Sequence, residues 1–124
     1  MSVQSDRLDG RPRMLFVYGD SLFAAKWSRH FRRTGWDVHL AANGDEACRL
    51  MERLDATVVV VDGDLAAENS AAVCRRILAR RPGQPLVLVE GERSVAGLGQ
   101  FRDSVRISQR HHVAEVMDQL LAVR

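Results

Sequence analysis

A chain of 124 residues fits one domain around one core. With 46% hydrophobic and 27% charged residues it is too apolar for a disordered chain, and no apolar run approaches the ~20 residues that span a bilayer. The net charge of +2, carried by arginines and the single lysine Lys26, argues against a dedicated polyanion binder.

Residues 1–12 are polar and Gly/Pro-punctuated, lack the apolar core of a signal peptide, and read as a flexible tail before a domain over 13–124. Met14 to Tyr18 is continuously apolar, as in a strand buried on both faces. Gly19-Asp20-Ser21 ends it, and Asp20 or Ser21 can cap a helix whose buried face carries Phe23, Trp27 and Phe31 and which stops at Gly35. Trp36 to Leu40 alternates like an edge strand. Asn43 with Glu46 resembles a capping box opening a helix with Ala47, Leu50, Met51 and Leu54 on its buried face. Thr57 to Val61, β-branched throughout, is the strongest strand signal and the expected centre of the sheet; it runs into Asp62-Gly63-Asp64.

Asn69 or Ser70 can cap a third helix carrying Val73, Cys74, Ile77 and Leu78, closed by Pro82 and Gly83. Its Arg75, Arg76, Arg80 and Arg81 read as a solvated face, with a nucleic-acid footprint as the alternative. Pro85 to Val89 is a fourth buried strand. Gly91, Gly97 and Gly99 make the helix after it short or irregular. Ser104 to Ile107 is a fifth strand, and Val113, Val116, Met117 and Leu120 mark a last helix. Five strand–helix alternations predict an α/β fold: a doubly wound parallel (βα)5 sheet of flavodoxin-like order 2-1-3-4-5 with right-handed crossovers.

Such a sheet keeps its binding crevice beyond the carboxyl ends of its strands. That edge gathers Tyr18-Gly19-Asp20, Asp62-Gly63-Asp64, Glu90-Gly91 and the segment around Ser108-Gln109. Four acidic residues, Asp20, Asp62, Asp64 and Glu90, are expected to converge there. No nucleophile elbow, Walker loop, dinucleotide fingerprint or triad is present, so no enzyme activity is expected. Cys48 and Cys74 read as buried thiols, His30 and His39 as solvent-facing or half-buried, and the adjacent His111-His112 as surface or capping residues.

From about Arg13 to Val123 the chain resembles the receiver domains of bacterial two-component response regulators. The resemblance rests on Leu15-Phe16-Val17 with its acidic turn, Ala41 to Ala47 opening the second helix, and Val58-Val59-Val60-Val61-Asp62. Cys74-Arg75-Arg76-Ile77 and Ile107-Ser108-Gln109 also fit. It implies a phosphoacceptor at Asp62, Mg²⁺ as cofactor, a histidine kinase or effector as protein partner, and a dimer or output face on helix 4, strand 5 and helix 5.

The chain departs from that pattern at the switch positions. Tyr18 and Gly19 stand where two metal-binding carboxylates belong, with Asp20 the nearest acid. Glu90 replaces the hydroxyl residue, Gln109 the lysine, Arg110 the following proline and Arg106 the aromatic. Mg²⁺ wants octahedral oxygen ligands including carboxylates, so its binding is expected to be weak, with Asp20 and Asp62 the only candidate ligands beside Glu90. Glu90 at ~4 Å from Asp62 would add roughly 4 kcal/mol of repulsion at an effective dielectric of about 20. The expectation is a degenerate, cytoplasmic pseudo-receiver acting by protein–protein contact, with self-association through helix 4, strand 5 and helix 5 as one form of it. Two alternatives are a receiver phosphorylated on Asp62 and a small-ligand sensor using the same crevice. Asp62 capping its own turn, Asp20 as an N-cap and Asp64 facing solvent are the plain structural readings of the same residues.

Overall fold

A computed structural model describes residues 10–65, 68–90 and 105–109, the side chain of Glu90 and those of 105–109 excepted. In chain order these form β1 (Arg13–Val17), α1 (Ser21–Arg33), β2 (Asp37–Ala41), α2 (Gly44–Met51), β3 (Val58–Asp62), α3 (Ser70–Arg80), β4 (Leu86–Glu90) and β5 (Val105–Gln109). The strands make one parallel sheet in the order β2-β1-β3-β4-β5, as the alternation of elements predicts. The expected tail up to residue 9, the irregular fourth helix, the last helix with His111-His112, and Arg110 lie outside the described residues.

The apolar runs of β1, β3 and β4 are buried on both faces because each face carries its own core. Leu15, Val17, Val59, Val61, Leu86 and Leu88 point to the α2 and α3 side. Met14, Phe16, Val58, Val60, Val87 and Val89 point to the α1 side, where they meet Phe31, Trp36 and Val38. The period of two therefore splits a continuous hydrophobic run into two layers. Trp27 stacks on Phe31 with ring centroids 5.6 Å apart, fixing α1 over its layer.

Each helix begins on a side-chain cap. Asp20 Oδ1 accepts from the N–H groups of Leu22 (2.9 Å) and Phe23 (3.3 Å), Asn43 Oδ1 from Glu46 (2.9 Å), and Asn69 Oδ1 from Ala72 (3.1 Å). Gly35, at φ 101°, takes the left-handed conformation that ends α1. One expectation is corrected. Leu54 does not lie on α2, which ends at Met51; it is half-buried in the turn beyond, its N–H bonded to the Leu50 carbonyl at 2.8 Å. Cys48, not Leu54, completes the buried face of α2.

Arg76 and Arg80 of the third helix have acidic partners. Arg76 Nη2 donates to Asp45 at 2.7 Å, which holds the guanidinium further above its ordinary pKa, and Arg80 Nη1 donates to Glu52 at 3.2 Å. Arg81 donates to the carbonyls of Leu54 (3.0 Å) and Met51 (2.5 Å), where α2 runs out of intrahelical donors. Their exposed guanidiniums thus tie α3 to α2, which a reading as a solvated face misses.

Candidate functional site

The carboxyl edge of the sheet brings the ends of β1, β3 and β4 together. Gly63 N–H donates to the Val89 carbonyl at 2.7 Å, carrying the β3–β4 ladder one step past Asp62. Tyr18 N–H donates to the Ala41 carbonyl at 2.9 Å and extends the β1–β2 ladder in the same way. The two turns that leave these ladders, 18–20 and 63–65, close over the end of β3.

Asp62 sits beneath them with 0% of its surface exposed. Both of its carboxylate oxygens accept backbone hydrogen bonds: Oδ2 from Gly19 at 3.2 Å and Oδ1 from Asp64 at 2.9 Å. A carboxylate this deep is tolerated only when its oxygens are satisfied, and these donors do that. The Asp62 carbonyl accepts from the Ser70 hydroxyl at 2.7 Å, which fixes the start of α3 to the same point.

Gly19 decides how tightly the turns close. A Cβ there would lie 2.0 Å from the Asp64 carbonyl oxygen and 2.9 Å from the Leu65 Cα, both backbone atoms. No side chain fits at position 19 while the 63–65 turn holds this conformation. Leu65 anchors that turn: it is 2% exposed and belongs to the core on the α2 and α3 side. Tyr18 packs half-buried against the opposite core. The two positions that resemble carboxylate positions are therefore used here for packing and for a backbone approach.

The remaining acids divide. Asp20 is exposed, and its Oδ1 is engaged by the first N–H groups of α1, so its role is that of an N-cap. Asp64 is half-buried and meets Asp62 through its backbone N–H. The expected convergence of four carboxylates thus reduces, among the described side chains, to one enclosed carboxylate, with Asp64 two residues on and Asp20 held at the start of α1. Glu90 pairs through its backbone with Gln109, and Arg106 with Val87; the side chains of Glu90, Arg106 and Gln109 lie outside the described residues, and with them the expected repulsion on Asp62. Among the described residues no three Asp, Glu, His or Cys side chains are grouped to hold a metal ion. Among the described side chains few donors are placed for Mg²⁺: position 19 offers no carboxylate, Asp20 Oδ1 caps its helix, and each oxygen of the enclosed Asp62 already accepts a backbone bond.

Cys48 and Cys74 are free and buried, and burial pushes the Cys74 thiol up to about 12. His30 is exposed and His39 half-buried, its Nε2 3.1 Å from Asp37. No helix among the described residues is long and apolar enough to cross a membrane. Sequence reasoning missed Gly19 and Leu65 as the parts that close the edge. The signal for Leu65 was a single large apolar residue in the loop between β3 and α3.

No family model matches the chain. Solved structures do. A CheY-like response-regulator receiver domain from Methanospirillum hungatei JF-1 is 17% identical with a TM-score of 0.75, covering 89% of this chain and 94% of its own. The receiver domain of a sensor histidine kinase from Pseudomonas aeruginosa PAO1, solved with a magnesium ion coordinated in its active-site cleft, is 17% identical with a TM-score of 0.71, covering 90% and 98%. A chain from the complex of histidine kinase ThkA with response regulator TrrA is 17% identical with a TM-score of 0.73, covering 89% and 98%. Sheet order, element order and these superpositions agree: the chain has the response-regulator receiver fold.

Proposed function

We propose that this chain is a receiver-type module of two-component signalling that works by binding a protein partner, with no aspartyl phosphate in its cycle. The observation that carries this reading is the enclosure of Asp62: fully buried, both oxygens accepting backbone N–H bonds, under a turn pressed against Gly19. Phosphoryl transfer to a carboxylate needs an oxygen open to in-line approach and a cation to neutralise the arriving charge. Here the oxygens are engaged, and the residues at positions 18 and 19 supply no metal ligand. The same features make Asp62 a sound structural element, since it staples two loops to the end of the central strand. A histidine kinase or effector is the kind of partner this reading calls for, as in the kinase complex of the similar TrrA chain.

The test is incubation with acetyl phosphate and Mg²⁺ followed by intact-mass measurement. The reading predicts an unchanged mass under conditions that label a competent receiver. A labelled species that disappears in Asp62→Asn would return the chain to the ordinary relay role.

A further inference from the structure

Most of the positive charge that has no acidic partner among the described residues is concentrated on one helix. On α3 and at its C-cap, Arg76, Arg80 and Arg81 pair with Asp45, Glu52 and Asp55. By contrast, α1 contains no Asp or Glu, and its Lys26, Arg29, Arg32 and Arg33 are all exposed. No acidic side chain among the described residues forms an ion pair with any of the four.

Three of these cations line an open groove of about 600 Å³ between α1 and the outer edge of the sheet. Its walls are Arg29, Arg32 and Arg33, and Ala25, Ser28 and Leu40 complete it. Leu40 belongs to β2, the edge strand. Asp37 N–H bonds to Pro12 and the Ala41 carbonyl to Tyr18, so by the alternation of a parallel ladder Val38 and Leu40 turn their backbone groups away from β1. Arg32 Nη2 covers the outward Val38 carbonyl at 3.3 Å. That blunts part of the edge and leaves the stretch at Leu40 beside the arginines.

We propose that this groove binds a short, extended acidic segment of a partner protein. Its backbone lies along β2 at Leu40, and its carboxylates pair with Arg29 and Arg33, whose forked guanidiniums suit bidentate carboxylate contacts. The apolar side chains of Ala25 and Leu40 accept an alternating apolar residue. A nucleic acid fits less well: the basic stripe is confined to one helix, the chain carries a net charge of only +2, and the groove has no aromatic platform.

The probe is a fluorescein-labelled peptide of about ten residues alternating glutamate and valine, long enough to lie along one strand. Its fluorescence anisotropy is followed with the intact chain at low salt, beside a glutamine-for-glutamate peptide and a single-stranded oligonucleotide. Binding of the acidic peptide is expected, with amide shifts at Leu40. It should weaken at least about tenfold in Arg29→Glu/Arg33→Glu, whose exposed side chains leave the fold intact by circular dichroism. The charge-matched control Arg49→Glu/Arg53→Glu, on the opposite side of the sheet, should bind nearly as the parent does. The proposal is overturned by any of four results: no peptide binding, equal loss in the control, equal binding of the glutamine peptide, or tighter binding of the oligonucleotide.

Discussion

Gly19 sets how closely the turn after Asp62 can pack. The Gly19 N–H bonds the Asp62 carboxylate, while its missing side chain lets the 63–65 turn come close. A methyl group at position 19 meets the Asp64 carbonyl at 2.0 Å, so the 63–65 turn must move and loosen its hold on the carboxylate. Gly19→Ala is expected to lower stability by about 1–3 kcal/mol in urea unfolding, the usual range for forcing an atom into a packed site. An unchanged midpoint would mean the turn is not held closed. Cys74 offers a second residue-scale test. Burial raises its thiol from the ordinary 9.0 to about 12, so the folded state keeps a proton that the unfolded chain releases. Its contribution to stability is complete below pH 9.0 and is lost as pH rises through about 12, with a slope near ~1.4 kcal/mol per unit between them. Replacing Cys74 with Ala should flatten that alkaline decline, as read from unfolding curves at several pH values.

At the scale of elements, the arginines between α2 and α3 do two different jobs. Arg80 meets Glu52 in solvent with its side chain 49% exposed, and such pairs contribute about 0.2–1 kcal/mol and fade with salt. Arg81 caps the carbonyls of Met51 and Leu54 where α2 ends, and removing it leaves them without this donor. Arg81→Ala should therefore cost about 1–2 kcal/mol, more than Arg80→Ala, and the cost should persist at high salt. Equal losses that both vanish in salt would make the cap no more than a surface pair.

The elements themselves were legible because the physics that makes them is local. Val58 to Val61 could only be an interior strand, and Asp20, Asn43 and Asn69 announced their helices as caps. Strand limits read from the sequence fall within a residue or two of those observed, because one-residue extensions such as Tyr18 to Ala41 depend on the neighbouring strand. The end of α2 before Leu54 was hidden for the same reason, since the donors that terminate it come from Arg81 on another element.

For the whole molecule, the parallel order 2-1-3-4-5 followed from alternation and burial, and the carboxyl edge followed from the order. The chemistry at that edge was only half legible. The departures at Tyr18 and Gly19 told that carboxylates were missing. They did not tell that the space had been closed, because closure depends on a contact between residues 19 and 64 that no local pattern encodes. The outcome is a receiver scaffold with an aspartate at the expected place, held as part of the frame. The most direct check is a titration with beryllofluoride and Mg²⁺, followed at the backbone amides of Gly19 and Asp64. The account predicts that neither resonance moves, since both N–H groups stay bonded to Asp62; a saturable shift of the two together, absent without the metal, would contradict it.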